Sequence, residues 1–379
     1  MVSKHGWWLL ALLVFLVLGT VGLQIILRIT NRLPIIQIAT NTLESDMSLR
    51  GIEDDVATPL HVPLPEEVRG IYWTASTART GRAEELIEYM REMELNAVVI
   101  DLKMDNGEVV LPSVELLSHL RETVIYRIAR IAVMRDSAFA EANPSVALHT
   151  GSGSLWRDKT GAAWLDPSAT VVWDEAIRLG REAYALGFDE VQFDYVRFAS
   201  DGALSAIVYP LYQSTEKKTD VMARFFQTVG SAMHADGIPV SFDLFGMTFE
   251  ISEDFGIGQR LVDVYPYADF ISPMVYPSHY AKNFQGYANP ALYPYEVVSH
   301  SLTRGTDIIE SNFGLPESDI TPKWRPWLQD FDIGATYSAD MVEAQIRAVR
   351  DAGASGWILW NARNVYEPAD YLSENTSVQ

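Results

Sequence analysis

From Val68 onward, short runs of β-branched and aromatic residues alternate with amphipathic stretches. This alternation is typical of parallel βαβ units, and it occurs eight times. The eight runs lie at 69–74, 96–103, 125–134, 190–198, 239–246, 269–277, 321–331 and 355–362. Eight such units in about 300 residues fit a (β/α)8 TIM barrel. We therefore predict this α/β barrel over residues 67–372, followed by a short tail at 373–379.

Between the runs, apolar residues recur at helical spacing, most clearly at 81–95, 170–187, 218–237 and 338–353. Gly187 and Gly353 stand just before the next run, as glycines that end helices do. An open, doubly wound sheet is the competing fold. It requires a Gly-rich phosphate-binding turn after the first strand, and residues 74–81 (TASTARTG) do not form one.

The N-terminal segment has a different composition. Residues 6–27 contain no charged side chain, and this run of roughly 22 residues matches the about 20 needed to cross a bilayer as a helix. We predict a transmembrane anchor or signal segment at 1–29 and a linker at 30–66. A cleavable signal peptide is the alternative, but no convincing small-x-small cleavage site follows.

Composition excludes several classes of site. The formal net charge is -21, so a basic surface for nucleic acid is not expected. The chain contains no Cys, which excludes thiolate nucleophiles and Cys-bound metals. His residues at metal-binding spacing and a G-x-S-x-G elbow are also absent. We therefore expect no cofactor and no metal, and an esterase or deacetylase is disfavoured.

Two Asp residues stand inside otherwise apolar runs. Asp194 lies in VQFDYVRF of the fourth run, and Asp243 lies in SFDLFG of the fifth. A carboxylate in such a run is costly unless it is paired or functional, so an ion pair of Asp194 with Arg197 is the alternative. Neighbouring strands lie about 4.8 Å apart, so both carboxylates can face one substrate bond. Such a pair suits glycoside hydrolysis, where one carboxylate is ionised and the other protonated.

Active sites of (β/α)8 barrels form at the carboxyl ends of the strands. Polar and aromatic residues at these ends, and in the loop after the third run, are therefore candidates for substrate binding. They are Asp101, Arg197, Tyr276, His279, Gln329, Asp330, Trp360, Asn361, Trp73 and Trp156. Indole rings stack on the C–H faces of sugars, although core packing is the alternative for each Trp.

Several segments occur in a characteristic order between about residues 68 and 366. They are RGIYWT, NAVVIDLK, GSLWRDKTGAAWLDP, GFDEVQFDYVRF, SFDLFG, ISPMVYPSHY, RPWLQDF and GWILWNA. Together they resemble a bacterial family of glycoside hydrolase-like barrel domains, which is distantly similar to amylase-type glycosidases. The resemblance implies a retaining site in which the acid ending the fourth strand, here Asp194, is the nucleophile.

The amylase-type pattern places a Glu acid after the fifth strand, where this chain has Asp243. We take Asp243 as the acid, with Glu250 and Asp330 as reserves. Because the Asp side chain is shorter than that of Glu, an inverting geometry stays open.

The sequence thus leads to the hypothesis of a single-pass protein of the cell membrane whose catalytic domain is extracytoplasmic. Its substrate would be a cell-surface or extracellular polysaccharide, cleaved by the carboxylate pair. The rival hypothesis is a non-catalytic glycan-binding module on the same barrel. Two carboxylates in one cleft favour the enzyme, whereas one isolated acid in an aromatic groove favours the binding module.

Overall fold

The structure is a computed structural model that describes residues 60–372. Eight parallel strands close into one barrel in chain order, and the last strand pairs with the first. The strands are β1 Val68–Trp73, β2 Ala97–Lys103, β3 Tyr126–Ala132, β4 Glu190–Asp194, β5 Val240–Phe245, β6 Phe270–Met274, β7 Trp327–Gln329 and β8 Gly356–Trp360. The predicted eight-stranded parallel barrel is confirmed, and the doubly wound alternative is wrong.

The predicted anchor at 1–29, residues 30–59 of the predicted linker and the tail at 373–379 lie outside the described residues and stay predictions. Within residues 60–372, no helix is long and apolar enough to cross a bilayer. The last part of the predicted linker packs on the barrel. There, the Val62 amide donates a hydrogen bond to Asp189 at 2.7 Å, and the His61 ring stacks on Tyr184 at 4.0 Å.

Helices surround the barrel. In the described part of the chain they are α1 Arg82–Glu92, α2 Val114–Glu122, α3 Ser137–Ala142, α4 Thr170–Leu186, α5 Lys218–Ala235, α6 Leu261–Val264, α7 Pro294–Phe313, α8 Glu317–Ile320 and α9 Ala339–Asp351. The four predicted amphipathic stretches correspond to α1, α4, α5 and α9. As predicted, Gly187 follows α4 with a left-handed φ of 106°, a conformation in which a Cβ atom is disfavoured.

Two strands are shorter than their sequence runs suggest. β4 stops at Asp194 because Tyr195 has a φ of 53°, which takes the backbone out of the extended conformation. β7 contains only Trp327–Gln329. Pro326 directly before it has no N–H to donate to a neighbouring strand, and the preceding residues 321–323 form a short 3-10 turn. The early end of β4 places the loop residue Tyr195 at the mouth of the barrel.

The amino-terminal end of the barrel interior is closed by a buried ion pair. Arg325 Nη2 donates to both carboxylate oxygens of Glu190 at 3.0 and 2.8 Å, and both side chains are fully buried. Ser241 donates a further hydrogen bond to Glu190 at 2.5 Å, and the Arg325 guanidinium lies 3.8 Å from the centroid of the Phe270 ring. The carboxyl-terminal end is therefore the open end of the barrel.

Removing the charge of Glu190 should destabilise the fold. The Glu190→Gln variant leaves the buried Arg325 guanidinium without a counter-charge, which costs about 3–5 kcal/mol in comparable buried pairs. Urea unfolding of this variant, next to Glu310→Gln on the exposed surface of α7, measures the effect. A loss below about 1 kcal/mol for Glu190→Gln would contradict a charged pair that is essential to the closed end.

Candidate active site

Asp194 is the last residue of β4, and its side chain lies at the open mouth of the barrel. Its Oδ2 accepts hydrogen bonds from Arg130 Nε at 3.1 Å and from Arg130 Nη2. Its Oδ1 accepts one from the amide of Tyr195 at 2.5 Å. Tyr195 holds the left-handed φ that follows the strand, and such backbone strain at a non-Gly residue is concentrated at functional sites. The carboxylate is therefore held in one orientation.

Asp243 lies on the neighbouring strand β5 and is 1% exposed. The indole N–H of Trp327 donates to its Oδ1 at 2.7 Å. Its Oδ2 is buried and accepts no hydrogen bond from any described residue. Burial, followed by repulsion from the charge of Asp194, raises the pKa of Asp243 well above its usual value. Both effects favour the protonated form of Asp243.

Arg130 of β3 joins these carboxylates, although sequence reasoning did not single it out. Its Nη1 donates to Asp101 Oδ1 at 2.5 Å, its Nε and Nη2 contact Asp194, and its Nε lies 3.7 Å from Asp243 Oδ2. The sequence feature that could have identified Arg130 is the one used for Asp194, namely a charged residue inside an apolar strand run. The alternative partner for Asp194 was Arg197, and the structure assigns that place to Arg130.

The two carboxylates lie close together. Both Oδ2 atoms are near the same Arg130 Nε, at 3.1 Å for Asp194 and 3.7 Å for Asp243, so their separation cannot exceed the sum of these distances. This limit includes the about 5–5.5 Å separation of retaining glycosidases and lies near the lower edge of the roughly 6.5–9.5 Å of inverting ones.

A cavity of about 160 Å³, here named the acid cavity, opens above the carboxylates. It is lined by Arg130, Asp194, Tyr195, Arg197, Asp243, Phe245, Met274, Tyr276, Trp327 and Trp360. Of the described carboxylates, only Asp194 and Asp243 line it. A second space of about 450 Å³, the apolar annex, shares three of these residues. Its lining is Phe245, Gly246, Met247, Met274, Tyr276, His279 and Tyr280.

Comparison with known families agrees with this architecture. A family model described as "Putative glycosyl hydrolase domain" matches residues 110–366. The chain belongs to this family. The match begins after β2, so β1 and β2, which complete the barrel, precede it. No curated protein sequence gave a significant match.

Solved structures show the same fold in other proteins. The glycoside hydrolase domain of PgaB (BpsB) from Bordetella bronchiseptica is 13% identical, with a TM-score of 0.54 over 82% of this chain and 96% of that one. The spore cortex-lytic enzyme SleL from Bacillus megaterium is 12% identical, with a TM-score of 0.50 over 82% and 75%. SleL from Bacillus cereus is 11% identical, with a TM-score of 0.50 over 81% and 73%. At these identities the similarity concerns the fold alone.

Among the residues predicted for substrate binding in this glycosyl hydrolase domain, four line the acid cavity or the annex. Tyr276 borders both spaces and His279 borders the annex, where its ring packs edge-on to Tyr276 at 5.1 Å. Trp360 lines the acid cavity and stacks on Tyr72 at 4.1 Å. Arg197 also lines it. Its guanidinium lies 4.4 Å from the ring centroid of Phe245 and 4.9 Å from that of Trp164, so it forms part of the wall.

Three further predicted residues support the site from behind. Asp101 accepts hydrogen bonds from Arg130 and Tyr72 and does not line the cavity, so its place is that of a support for Arg130. Gln329 accepts a hydrogen bond from the Ser278 amide at 3.1 Å and donates to Phe331 O at 2.9 Å. The Asn361 amide donates to the backbone oxygen of Asp330, which joins the loops after β7 and β8.

Two predicted Trp residues lie away from the site. Trp73 is fully buried on the outer face of β1, against the helices, because its neighbour Tyr72 takes the inward position. Trp156 is 2% exposed and donates its indole N–H to Ala203 O at 3.0 Å. Both side chains therefore pack in the core, which was the alternative interpretation for each Trp, and neither lines the acid cavity.

The reserve acids lie outside the acid cavity. Glu250 accepts a hydrogen bond from Ser301 at 2.5 Å and pairs with His300 at 3.2 Å, behind the annex. Asp330 is 3% exposed and accepts a hydrogen bond from the Glu367 amide at 3.1 Å. In the described part of the chain, His, Asp and Glu form no group of three arranged to hold a metal ion.

A larger depression of about 660 Å³ lies between α1 and α2 and is lined in part by Arg79, Glu84 and His119. It shares no lining residue with the acid cavity, and its Glu84 and His119 side chains form an ion pair at 3.3 Å. We place the site at the acid cavity because the charged groups and the strained backbone meet there.

Asp330 should make stability depend on pH. Burial raises its pKa from 3.8 to about 7 in the folded chain, so folded Asp330 keeps a proton that the unfolded chain releases. Its contribution therefore lowers the free energy of unfolding as pH rises from about 4 to about 7. The Asp330→Asn variant should not show this decrease, so above pH 7 its free energy of unfolding should exceed that of the wild type.

Urea unfolding at several pH values measures this difference, with the exposed Asp174→Asn variant as a control. The expected gain is up to a few kcal/mol. A difference between wild type and Asp330→Asn that does not change with pH would show that Asp330 is ionised in the folded chain.

Proposed function

We propose that this protein is a glycoside hydrolase in which Asp194 is the nucleophile and Asp243 the general acid. The carboxylate pair carries the proposal. Asp194 faces the cavity and accepts hydrogen bonds from Arg130, whereas Asp243 on the next strand is buried, which favours its protonated form. Glycosidases require this division between an ionised and a protonated carboxyl group.

In the first step, a carboxylate oxygen of Asp194 attacks the anomeric carbon. Asp243 gives its proton to the glycosidic oxygen, so the C–O bond breaks and the leaving sugar departs as an alcohol. In the second step, a water molecule gives a proton to the Asp243 carboxylate. The water oxygen attacks the same anomeric carbon, and the bond between that carbon and Asp194 breaks. This double displacement retains the anomeric configuration, and the short distance between the two carboxyl groups favours it over an inverting reaction.

The proposed substrate is a neutral or weakly charged polysaccharide at the cell surface or outside the cell. The net charge of -21 disfavours strongly anionic polymers, and aromatic side chains such as Trp360 and Tyr276 supply faces on which sugar rings stack. Residues 1–29 would anchor the enzyme in the cell membrane with the barrel outside. The reaction requires no cofactor.

The rival is a glycan-binding module without turnover. It is less well supported because a binding groove does not need two adjacent carboxyl groups in different protonation states. Family membership and the shared barrel also favour the hydrolase.

Asp194→Asn should abolish turnover. An amide cannot replace the carboxylate as nucleophile, so kcat/KM should fall at least about 1,000-fold. The measurement is the release of reducing ends from a panel of bacterial cell-wall glycans and exopolysaccharides by the full-length protein. Asp174→Asn on the exposed face of α4 is the matched control and should retain full activity. Glycan binding without release by the wild type would instead favour the binding module.

Asp243→Asn should affect substrates according to their leaving groups. Without a proton donor, cleavage of a glycan bond should slow by about 100- to 10,000-fold. The leaving fluoride of a glycosyl fluoride of the same sugar needs little protonation, so kcat/KM for this substrate should fall far less. The ratio of the two kcat/KM losses is the measurement. Equal losses for both substrates would contradict the role of Asp243 as the acid.

A further inference from the structure

The rim of the acid cavity has two chemically different sides. On the side of β2 to β4, charged and polar groups interact. Arg130, Asp194 and Arg197 line the cavity on this side. Tyr195, which also lines it, donates its hydroxyl to Asp105 at 3.1 Å, and Asp105 pairs with Arg135. On the side of β5 and β6, the cavity continues into the apolar annex. A bound glycan would therefore meet different surfaces on the two sides of its cleaved bond.

The annex presents no charged side chain to its interior. Two thioethers, those of Met247 and Met274, face aromatic rings across a space of about 450 Å³. The only titratable imidazole in its lining is His279, and partial burial lowers the pKa of that ring. His279 is therefore neutral at neutral pH, and the walls of the annex carry no net charge.

The walls of the annex are fixed from behind. A Cβ atom at Gly246 would lie 2.5 Å from Met274 O and 2.8 Å from the Tyr280 hydroxyl, so only glycine allows this approach of the two segments. The Tyr280 hydroxyl lies 2.8 Å from Ser301 Oγ, and Ser301 donates to Glu250 at 2.5 Å. The space is thus preformed, which limits the entropy lost when a ligand binds.

The position of the annex relative to the two acids indicates which part of a bound substrate lies in it. Asp243 and the annex residue Phe245 lie two residues apart on the same face of β5, and Met274 pairs with Phe245 in the sheet register. Asp194 and the strained Tyr195 lie toward the charged side of the rim. Because the acid must reach the glycosidic oxygen, the leaving part of the substrate lies on the side of Asp243.

We propose that the apolar annex is the subsite for the leaving-group sugar and that it selects an uncharged sugar residue. This inference rests on the proposed function. A uronate or an amino sugar would lose its hydration among thioether and aromatic groups without gaining a counter-charge. A neutral ring, or an acetamido methyl group, places C–H surface on the same groups favourably.

Methionine methyl resonances test this directly. The full-length Asp194→Asn protein, labelled with ¹³C at the methionine methyl groups, is titrated with neutral, cationic and anionic tetrasaccharides. The neutral probes are cellotetraose, maltotetraose and N-acetylchitotetraose. The cationic probe is the de-N-acetylated chitotetraose, and the anionic probe is tetragalacturonate. Met247→Leu and Met274→Leu assign the two annex signals, and the buried Met90 and Met222 serve as internal controls.

We expect at least one neutral tetrasaccharide to shift the Met247 and Met274 signals saturably while Met90 and Met222 stay unchanged. The matched cationic probe should need at least about tenfold higher concentration, since it differs from N-acetylchitotetraose only by its amino groups. Equal shifts with charged probes would overturn the selectivity. If no probe shifts the two signals, the subsite itself is overturned.

A kinetic comparison separates this inference from the proposed function. Met247→Glu places a charge in the annex, and Met247→Leu is the matched neutral control. Met247→Glu should raise KM for a cleaved neutral oligosaccharide at least about tenfold, and by a smaller factor for the corresponding glycosyl fluoride, which has no leaving sugar. Equal effects on both substrates would overturn the subsite assignment. Absence of any turnover by the wild type would refute the hydrolase, and the methyl titration would still decide the annex.

Discussion

The guanidinium of Arg130 lies among the carboxyl groups of Asp101, Asp194 and Asp243 and below the rings of Tyr72 and Trp360. One positive charge in a weakly polar interior cannot neutralise three carboxylates, so protonation of one of them lowers the electrostatic energy. The proton is best held by Asp243, which is 1% exposed, whereas Asp194 is 8% exposed and accepts two hydrogen bonds from Arg130. The division between nucleophile and acid that we propose thus rests on the number of charges around one arginine.

The two ends of the barrel interior use charge differently. At the closed end, Glu190 and Arg325 balance each other one to one and are wholly buried. At the open end, acidic groups exceed the cation that holds them together. A balanced pair contributes to a defined packing arrangement, whereas an excess of acid leaves a proton available for transfer. This difference agrees with the usual separation of stability and activity between the two ends of (β/α)8 barrels.

Backbone geometry at two strand ends gives the cleft its two sides. The left-handed Tyr195 ends β4 and orients Asp194 by donating its own amide to the carboxylate. Gly246 directly after β5 permits the close approach of Met274 and Tyr280 that forms the annex. The polar side and the apolar side therefore lie on opposite flanks of the same carboxylate pair. A substrate that fits both sides can bind in one direction only.

The sequence by itself determined the barrel, because eight alternations of strand and helix patterns depend on local hydrophobic periodicity. It also singled out Asp194 and Asp243, since both are acidic residues inside otherwise apolar strand runs. It did not determine which face of β1 points inward, because both faces of a parallel strand are buried and apolar. The position of Trp73 depends on that choice, so the sequence could not predict it. Only the tertiary structure selected Arg130 over Arg197 as the partner of Asp194. Arg197 follows the left-handed Tyr195, which ends the strand alternation and turns its guanidinium toward Trp164 and Phe245, and no local pattern predicts that turn.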